Sequence, residues 1–169
     1  MCKPILLIGM MGCGKSTIGR LLAGRMGLPL IDLDEEIARA AGRSIPDIFA
    51  EEGDAGFRLH ETAALGRALD AGEAVIATGG GIVTREENIR MMREKGVVVW
   101  LCRPLEDMIA DVRQDTRPNL AGDKEERMRT LYAQRAHLYE VAAHLQFDNR
   151  MPPREAAKML EKLLTERKK

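Results

Sequence analysis

The residues with the most legible chemistry lie near the start of the chain. Gly9-Met10-Met11-Gly12-Cys13-Gly14-Lys15-Ser16-Thr17 carries the spacing G-x-x-x-x-G-K-S, directly after the apolar run Ile5-Leu6-Leu7-Ile8. Glycines so placed let the backbone turn tightly and aim its N–H groups at phosphate oxygens. A lysine at position 15 then reaches the β- and γ-phosphates, and the hydroxyl of Ser16 is a ligand for Mg²⁺. Gly12, Cys13, Gly14 and Thr17 complete the expected cradle. A glycine-rich turn without a nucleotide is the alternative, and the strand before it and helix after it weigh against that. The motif names a phosphoryl donor and leaves the acceptor open.

Further along, other residues could face that donor. Asp32 and Asp34 are two apart, so on an extended chain both project to one side. One carboxylate could hold a metal through water, and the other could accept a hydrogen bond, and a proton, from an acceptor hydroxyl. The competing reading is a helix start dressed with acids, since Glu35 and Glu36 follow. Arg58 has Glu61 at i+3 to brace it, and Arg135 has Tyr139 at i+4. Either arginine alone could be a solvated charge. Gly79-Gly80-Gly81 after a strand is harder to dismiss, because three glycines weaken a strand end unless backbone must approach a ligand.

The elements that would position these groups follow from periodicity. Strands are expected at 4–8, 28–34, 73–78, 97–101 and 143–148, and helices at 15–26, through 37–41 closed by Gly42, from 44 until Gly53, then a longer one to about 71, at 84–95, from 104, at 124–143 and from 152. Gly53 interrupts the third helix. A capping box is expected at Thr84-Arg85-Glu86-Glu87. The polar stretch around 112–124, with Arg113, Arg117 and Pro118, reads as a mobile lid. Strands alternating with helices imply a parallel five-stranded sheet in a three-layer α/β/α domain spanning 1–169. Ligands on such sheets bind beyond the carboxyl ends of the strands, where every candidate above falls.

Composition narrows the class. The 169 residues are 45% hydrophobic and 31% charged, with 26 basic and 26 acidic residues. Zero net charge, one Trp, two Tyr and three Phe offer little to a nucleic acid, so none is expected as a partner. No apolar run approaches the roughly 18–20 residues of a membrane span, and Met1-Cys2-Lys3-Pro4 leaves no room for a signal peptide. A cytoplasmic monomer without membrane contact is the expectation. Three scattered cysteines and three histidines form no metal or triad spacing.

Taken together, Gly9–Thr17, Asp32-Leu33-Asp34, Phe57-Arg58-Leu59-His60-Glu61, Ala77-Thr78-Gly79-Gly80-Gly81, Arg117-Pro118 and Arg135 with Tyr139 resemble the shikimate kinase family, among the nucleoside-monophosphate-kinase-like proteins. The resemblance implies a P-loop kinase fold, ATP and Mg²⁺. The implied reaction is phosphorylation of the 3-hydroxyl of shikimate, on the route to chorismate and the aromatic amino acids. It implies Lys15, Asp34 and Arg117 as catalytic residues, with Asp34 the candidate base. Arg58, Arg135, Gly79, Gly80, Gly81 and Asp34 would bind shikimate, and helices at 33–61 would form its site. Ser16 and Asp32 would hold the metal. Arg113 would pack on the adenine, and Pro152 lies in the loop expected to contact it. The chain departs from the family at Asn119, where an apolar residue is more usual, and in the short span from Pro104 to Arg117. Two alternatives stand beside this reading: a gluconate- or nucleoside-monophosphate-type kinase, and a nucleotide-binding protein without catalysis.

Overall fold

Hydrophobic burial on both faces explains why β1 (Ile5–Ile8) is continuous in its apolar character, since all four of its residues are buried. The computed structural model describes residues 3–114 and 121–167. In it β1 is the centre of a five-stranded sheet of order β2-β3-β1-β4-β5, with every pair parallel. The other strands are β2 (Leu30–Asp32), β3 (Val75–Ala77), β4 (Val97–Cys102) and β5 (Leu145–Asp148). Register runs straight across the sheet: Ile5 is level with Val75 and Val97, and Leu30 with Val75.

Helices close both faces. α1 (Lys15–Met26) and α7 (Pro153–Glu166) pack side by side, α1 against β2 and β3. α4 (Glu86–Lys95) and α6 (Ala121–Ala142) lie against β4. α2 (Leu33–Ala41), α3 (Ile45–Asp70) and α5 (Leu105–Gln114) complete the set, with a 3₁₀ turn at Ile82–Thr84. This is the expected three-layer arrangement, and Gly27 and Gly42 close α1 and α2 in the left-handed conformation. None of the described helices is long and apolar enough to cross a membrane.

Three local expectations change. β2 is shorter than 28–34 and stops at Asp32, because Asp32 caps the next helix. The capping box at Thr84 does not form: the Thr84 hydroxyl donates to the Gly81 carbonyl at 2.7 Å, inside the 3₁₀ turn, and Arg85 begins α4 with no side-chain cap. α6 starts at Ala121, earlier than 124, so part of the expected lid is helix. Arg113 lies on the last turn of α5, and Arg117, with residues 115–120, falls outside the described residues.

α3 is two helices joined at Gly53, whose φ of 69° and ψ of −172° only glycine adopts readily. The bend separates the Ser44-capped turn from the segment carrying Arg58 and Glu61. Gly53→Ala should therefore lower stability by about 1–3 kcal/mol. Urea unfolding checks it, and an unchanged midpoint would mean that the kink is not held by the fold.

Candidate active site

The first turn of α1 follows the phosphate loop directly, and Lys15, its first residue, is 9% exposed. The Lys15 ammonium donates to the carbonyls of Gly9 at 2.7 Å and Met10 at 2.8 Å, so the loop curls around it. Asn149, on the turn after β5, donates its amide to the Cys13 carbonyl at 2.7 Å. Arg103, just after β4, donates to the Gly12 carbonyl at 2.9 Å and to Asp111 at 2.6 Å. The loop is thus braced from two neighbouring strand ends. Periodicity gave no signal for either brace, since both depend on β4 lying beside β1 and β5 beside β4.

A cavity of about 240 Å³ opens beside the loop, lined by Gly12, Cys13, Gly14, Thr17, Asn149 and Met151 among others. The loop near Pro152 does border this space. Its lining side chains are those of Asn149, Met151 and Pro153, while Pro152 itself sits at the N-cap of α7.

Asp32 and Asp34 do not share a strand face. Asp32 caps α2, accepting from the backbone N–H groups of Asp34 at 3.0 Å and Glu35 at 3.4 Å. Its second oxygen accepts from the Ser16 hydroxyl at 3.1 Å. Asp34 stands in the first turn of α2, where residues two apart do not face one another. The helix-start reading holds for Asp32, which caps α2 and also accepts from the loop serine. A hydroxyl and a carboxylate oxygen at this spacing suit a hard cation such as Mg²⁺, which keeps several waters and shares itself with phosphates. Among the described residues no group of three or more His, Cys, Asp or Glu side chains could hold a metal alone.

Asp34 turns the other way, towards the triple glycine. A Cβ on Gly79 would stand 3.4 Å from an Asp34 oxygen and 3.0 Å from Glu61 Oε2. The Asp34 carboxyl opens to the cleft, yet crowding by protein raises its pKa, as does the Asp32 charge, and Lys15 and Arg58 oppose the rise. Glu61 is 1% exposed, and burial raises its pKa against the pull of Arg58.

Glu61 earns its burial by fixing an arginine. Arg58 donates to Glu61 at 2.9 Å and to Asp54 at 3.2 Å, with its guanidinium 5.3 Å from the centre of the Phe57 ring. A methyl group on Gly81 would fall on that guanidinium, and one on Gly80 would lie 3.6 Å from an Arg135 nitrogen. Gly81 and Gly79 thus let Arg58 and Glu61 crowd one turn of backbone. Arg58 Nε and Glu61 Oε2 are buried without a hydrogen-bond partner among the described residues. On the other side of the turn, Tyr139 donates to the Gly80 carbonyl at 2.6 Å. The R-x-x-x-Y spacing was visible in the sequence, but the tyrosine's partner was not.

A phosphate loop at the end of β1, with two arginines and a carboxylate gathered at the glycine turn after β3, is the arrangement of a phosphoryl-transferring enzyme. Comparison with known proteins narrows the class. The shikimate kinase family model matches residues 11–165. The shikimate kinase of Symbiobacterium thermophilum is 42% identical over 165 residues, covering 94% of this chain and 95% of that protein. That of Chromohalobacter salexigens is 46% identical over 143 residues, covering 83% and 79%. Among solved structures, shikimate kinase from Acinetobacter baumannii in complex with shikimate superposes with a TM-score of 0.91 at 36% identity, covering 99% of this chain and 96% of that one. A gluconokinase from Sinorhizobium meliloti, at 16% identity and a TM-score of 0.59, shares the fold alone. The chain belongs to the shikimate kinase family, and so to the phosphotransferases.

The raised pKa of Asp34 makes a sign prediction. A carboxyl whose folded pKa lies above its unfolded value favours folding while protonated, and that contribution is lost as pH rises through the folded value. Asp34→Asn stays neutral and keeps it. Its melting temperature should gain on wild type as pH rises from about 4 towards 8. A gap that narrows over that range would show that Lys15 and Arg58 outweigh the burial of Asp34.

Proposed function

We propose that this chain transfers the γ-phosphoryl group of ATP to the 3-hydroxyl of shikimate, giving shikimate 3-phosphate and ADP in the cytoplasm, and that it does so as a monomer. The observation that carries the proposal is the meeting of Arg58, Arg135, Asp34 and the Gly79–Gly81 turn on one side of Lys15. Shikimate is a carboxylated triol. Two guanidinium groups suit the carboxylate, because their planar forks donate in pairs. Arg58 is held ready by Glu61 and Asp54, so little side-chain freedom is lost when a ligand arrives. Asp34 lies between that pocket and the loop, in reach of a ring hydroxyl.

Each residue then has a physical task. The loop N–H groups and Lys15 hold the β- and γ-phosphates, and Lys15 exchanges the Gly9 and Met10 carbonyls for phosphate oxygens. Ser16 and Asp32 would hold Mg²⁺, which would neutralise phosphate charge when bound. Asp34 aligns the 3-hydroxyl and accepts its proton; burial raises its pKa above the ordinary carboxylate value, which makes it a stronger base. Gly80 and Gly81 bring backbone close to the acceptor. By the family resemblance, Arg117 would act on the transferring group, Arg113 would pack on the adenine, and Pro152, at the N-cap of α7, would border the adenine end of the cleft. The transition state of such transfers is loose, so alignment and charge supply most of the acceleration.

Purified protein with Mg·ATP should release ADP with shikimate and not with quinate, gluconate or nucleoside monophosphates. Activity confined to gluconate or a monophosphate would replace the acceptor, and nucleotide binding without turnover would remove the catalysis. Lys15→Ala should lower kcat by about a hundredfold or more while leaving the melting curve near that of wild type. Equal losses of both would make Lys15 chiefly structural. Gly81→Ala should displace Arg58 and raise the shikimate KM by about ten- to a hundredfold, with the ATP KM unmoved. A matching rise for ATP would take Arg58 off the carboxylate.

A further inference from the structure

Tyr139 is the largest fully buried side chain among the described residues. It stands one turn after Arg135 on α6, and its hydroxyl donates to the Gly80 carbonyl at 2.6 Å. Burial pushes the phenol up to about 12, so the proton it donates stays in place across the working pH range. Its ring tilts against Trp100 with centres 5.8 Å apart. Trp100 in turn underlies the first residue of the phosphate loop: its Cδ1 is 3.4 Å from where a Cβ on Gly9 would stand. Above, the same Gly80 is flanked by the Met11 backbone N–H, 3.4 Å from its Cβ position, and by Arg135.

The consequence follows from peptide geometry. The carbonyl of Gly80 and the N–H of Gly81 share one planar trans unit and point in opposite directions. A carbonyl drawn towards α6 by Tyr139 turns the Gly81 N–H away from α6. The carbonyls on either side are held within the 3₁₀ turn, that of Gly79 by the Ile82 N–H at 3.2 Å and that of Gly81 by Thr84, so Tyr139 supplies the donor for the one peptide between them, whose glycines tolerate most backbone angles. The hydrogen bond also spans between α6 and the turn, so it sets where Arg135 stands relative to Gly80.

We infer that Tyr139 is a positioning residue for the acceptor: it holds the Gly80–Gly81 peptide and Arg135 in the arrangement that receives the acceptor's carboxylate. This rests on the function proposed above, and it assigns Tyr139 no contact with the substrate. Leaving the Gly80 carbonyl without its donor loosens the turn and costs acceptor affinity, while the phosphate loop, held separately by Asn149 and Arg103, keeps its affinity for ATP.

The test is Tyr139→Phe, which removes one oxygen and leaves the ring packing intact. Wild type is assayed first with Mg·ATP and shikimate; failure there overturns the proposed function, and the inference with it. With wild type active, the variant should melt within a few degrees of it and show a shikimate KM raised about three- to tenfold. The ATP KM and kcat should stay within about twofold. Trp100 is the only tryptophan in the chain and lies on the Tyr139 ring, so its fluorescence gives an independent shikimate Kd, which should shift alike. Leu138→Ala, a packing change on the same helix, should not reproduce the selective rise. An unchanged shikimate KM, an equal loss for ATP, the same pattern in Leu138→Ala, or a Tyr139→Phe protein that does not fold would each overturn the assignment in favour of a packing role.

Discussion

Five strands running the same way deliver their last residues to one edge, and the site depends on that constraint. β1 releases the chain into the phosphate loop, β2 into the Asp32 cap, β3 into the triple glycine, β4 into Arg103 and β5 into Asn149. Because β1 lies between β3 and β4, the loop has an acceptor pocket on one side and its two braces on the other. A parallel sheet with buried faces fixes these exits rigidly, since moving one would disturb a close-packed core.

Charge gathers at that edge at some cost. Burial raises the pKa values of Asp34 and Glu61, and the neighbouring cations, Lys15 and Arg58 beside Asp34 and Arg58 beside Glu61, oppose the rise. Such an arrangement is expensive to fold and valuable to a reaction that moves charge, because dipoles and ions already in place need no rearrangement as the phosphoryl group transfers. Glu61 shows how the cost is contained: a buried carboxylate is tolerable when it is paired, and here the pairing holds Arg58 at the acceptor side. Gly81 and Gly79 serve the same packing problem, since a side chain at 81 would collide with the Arg58 guanidinium and one at 79 would press on Glu61.

Much of this was legible in the chain. The phosphate loop could be read because its spacing encodes its own backbone shape, and α1, with Gly27 closing it, because helix signals are local. The sheet followed from alternation of elements. The Asp32/Asp34 pair was read as a shared strand face and is not one: a strand end and a helix start look alike when the capping aspartate belongs to both. At Thr84 a local capping signal lost to the tighter 3₁₀ turn that follows three glycines. Arg103, Asn149 and the partner of Tyr139 were not legible, because each acts across 59 to 136 residues of chain.

By itself the sequence determined what is local: the loop that meets phosphate, the periodicity of strands and helices, and the residue types able to bind a carboxylate. These depend on neighbours within a turn or a strand. The tertiary structure decided which of them meet. Parallel pairing of β1 with β3 and β4 brings residues from distant parts of the chain to one edge. Only there does Tyr139 find the Gly80 carbonyl, Glu61 settle Arg58 beside Gly81, and Asp34 part from Asp32, since the helix that begins between the two turns their side chains to different faces.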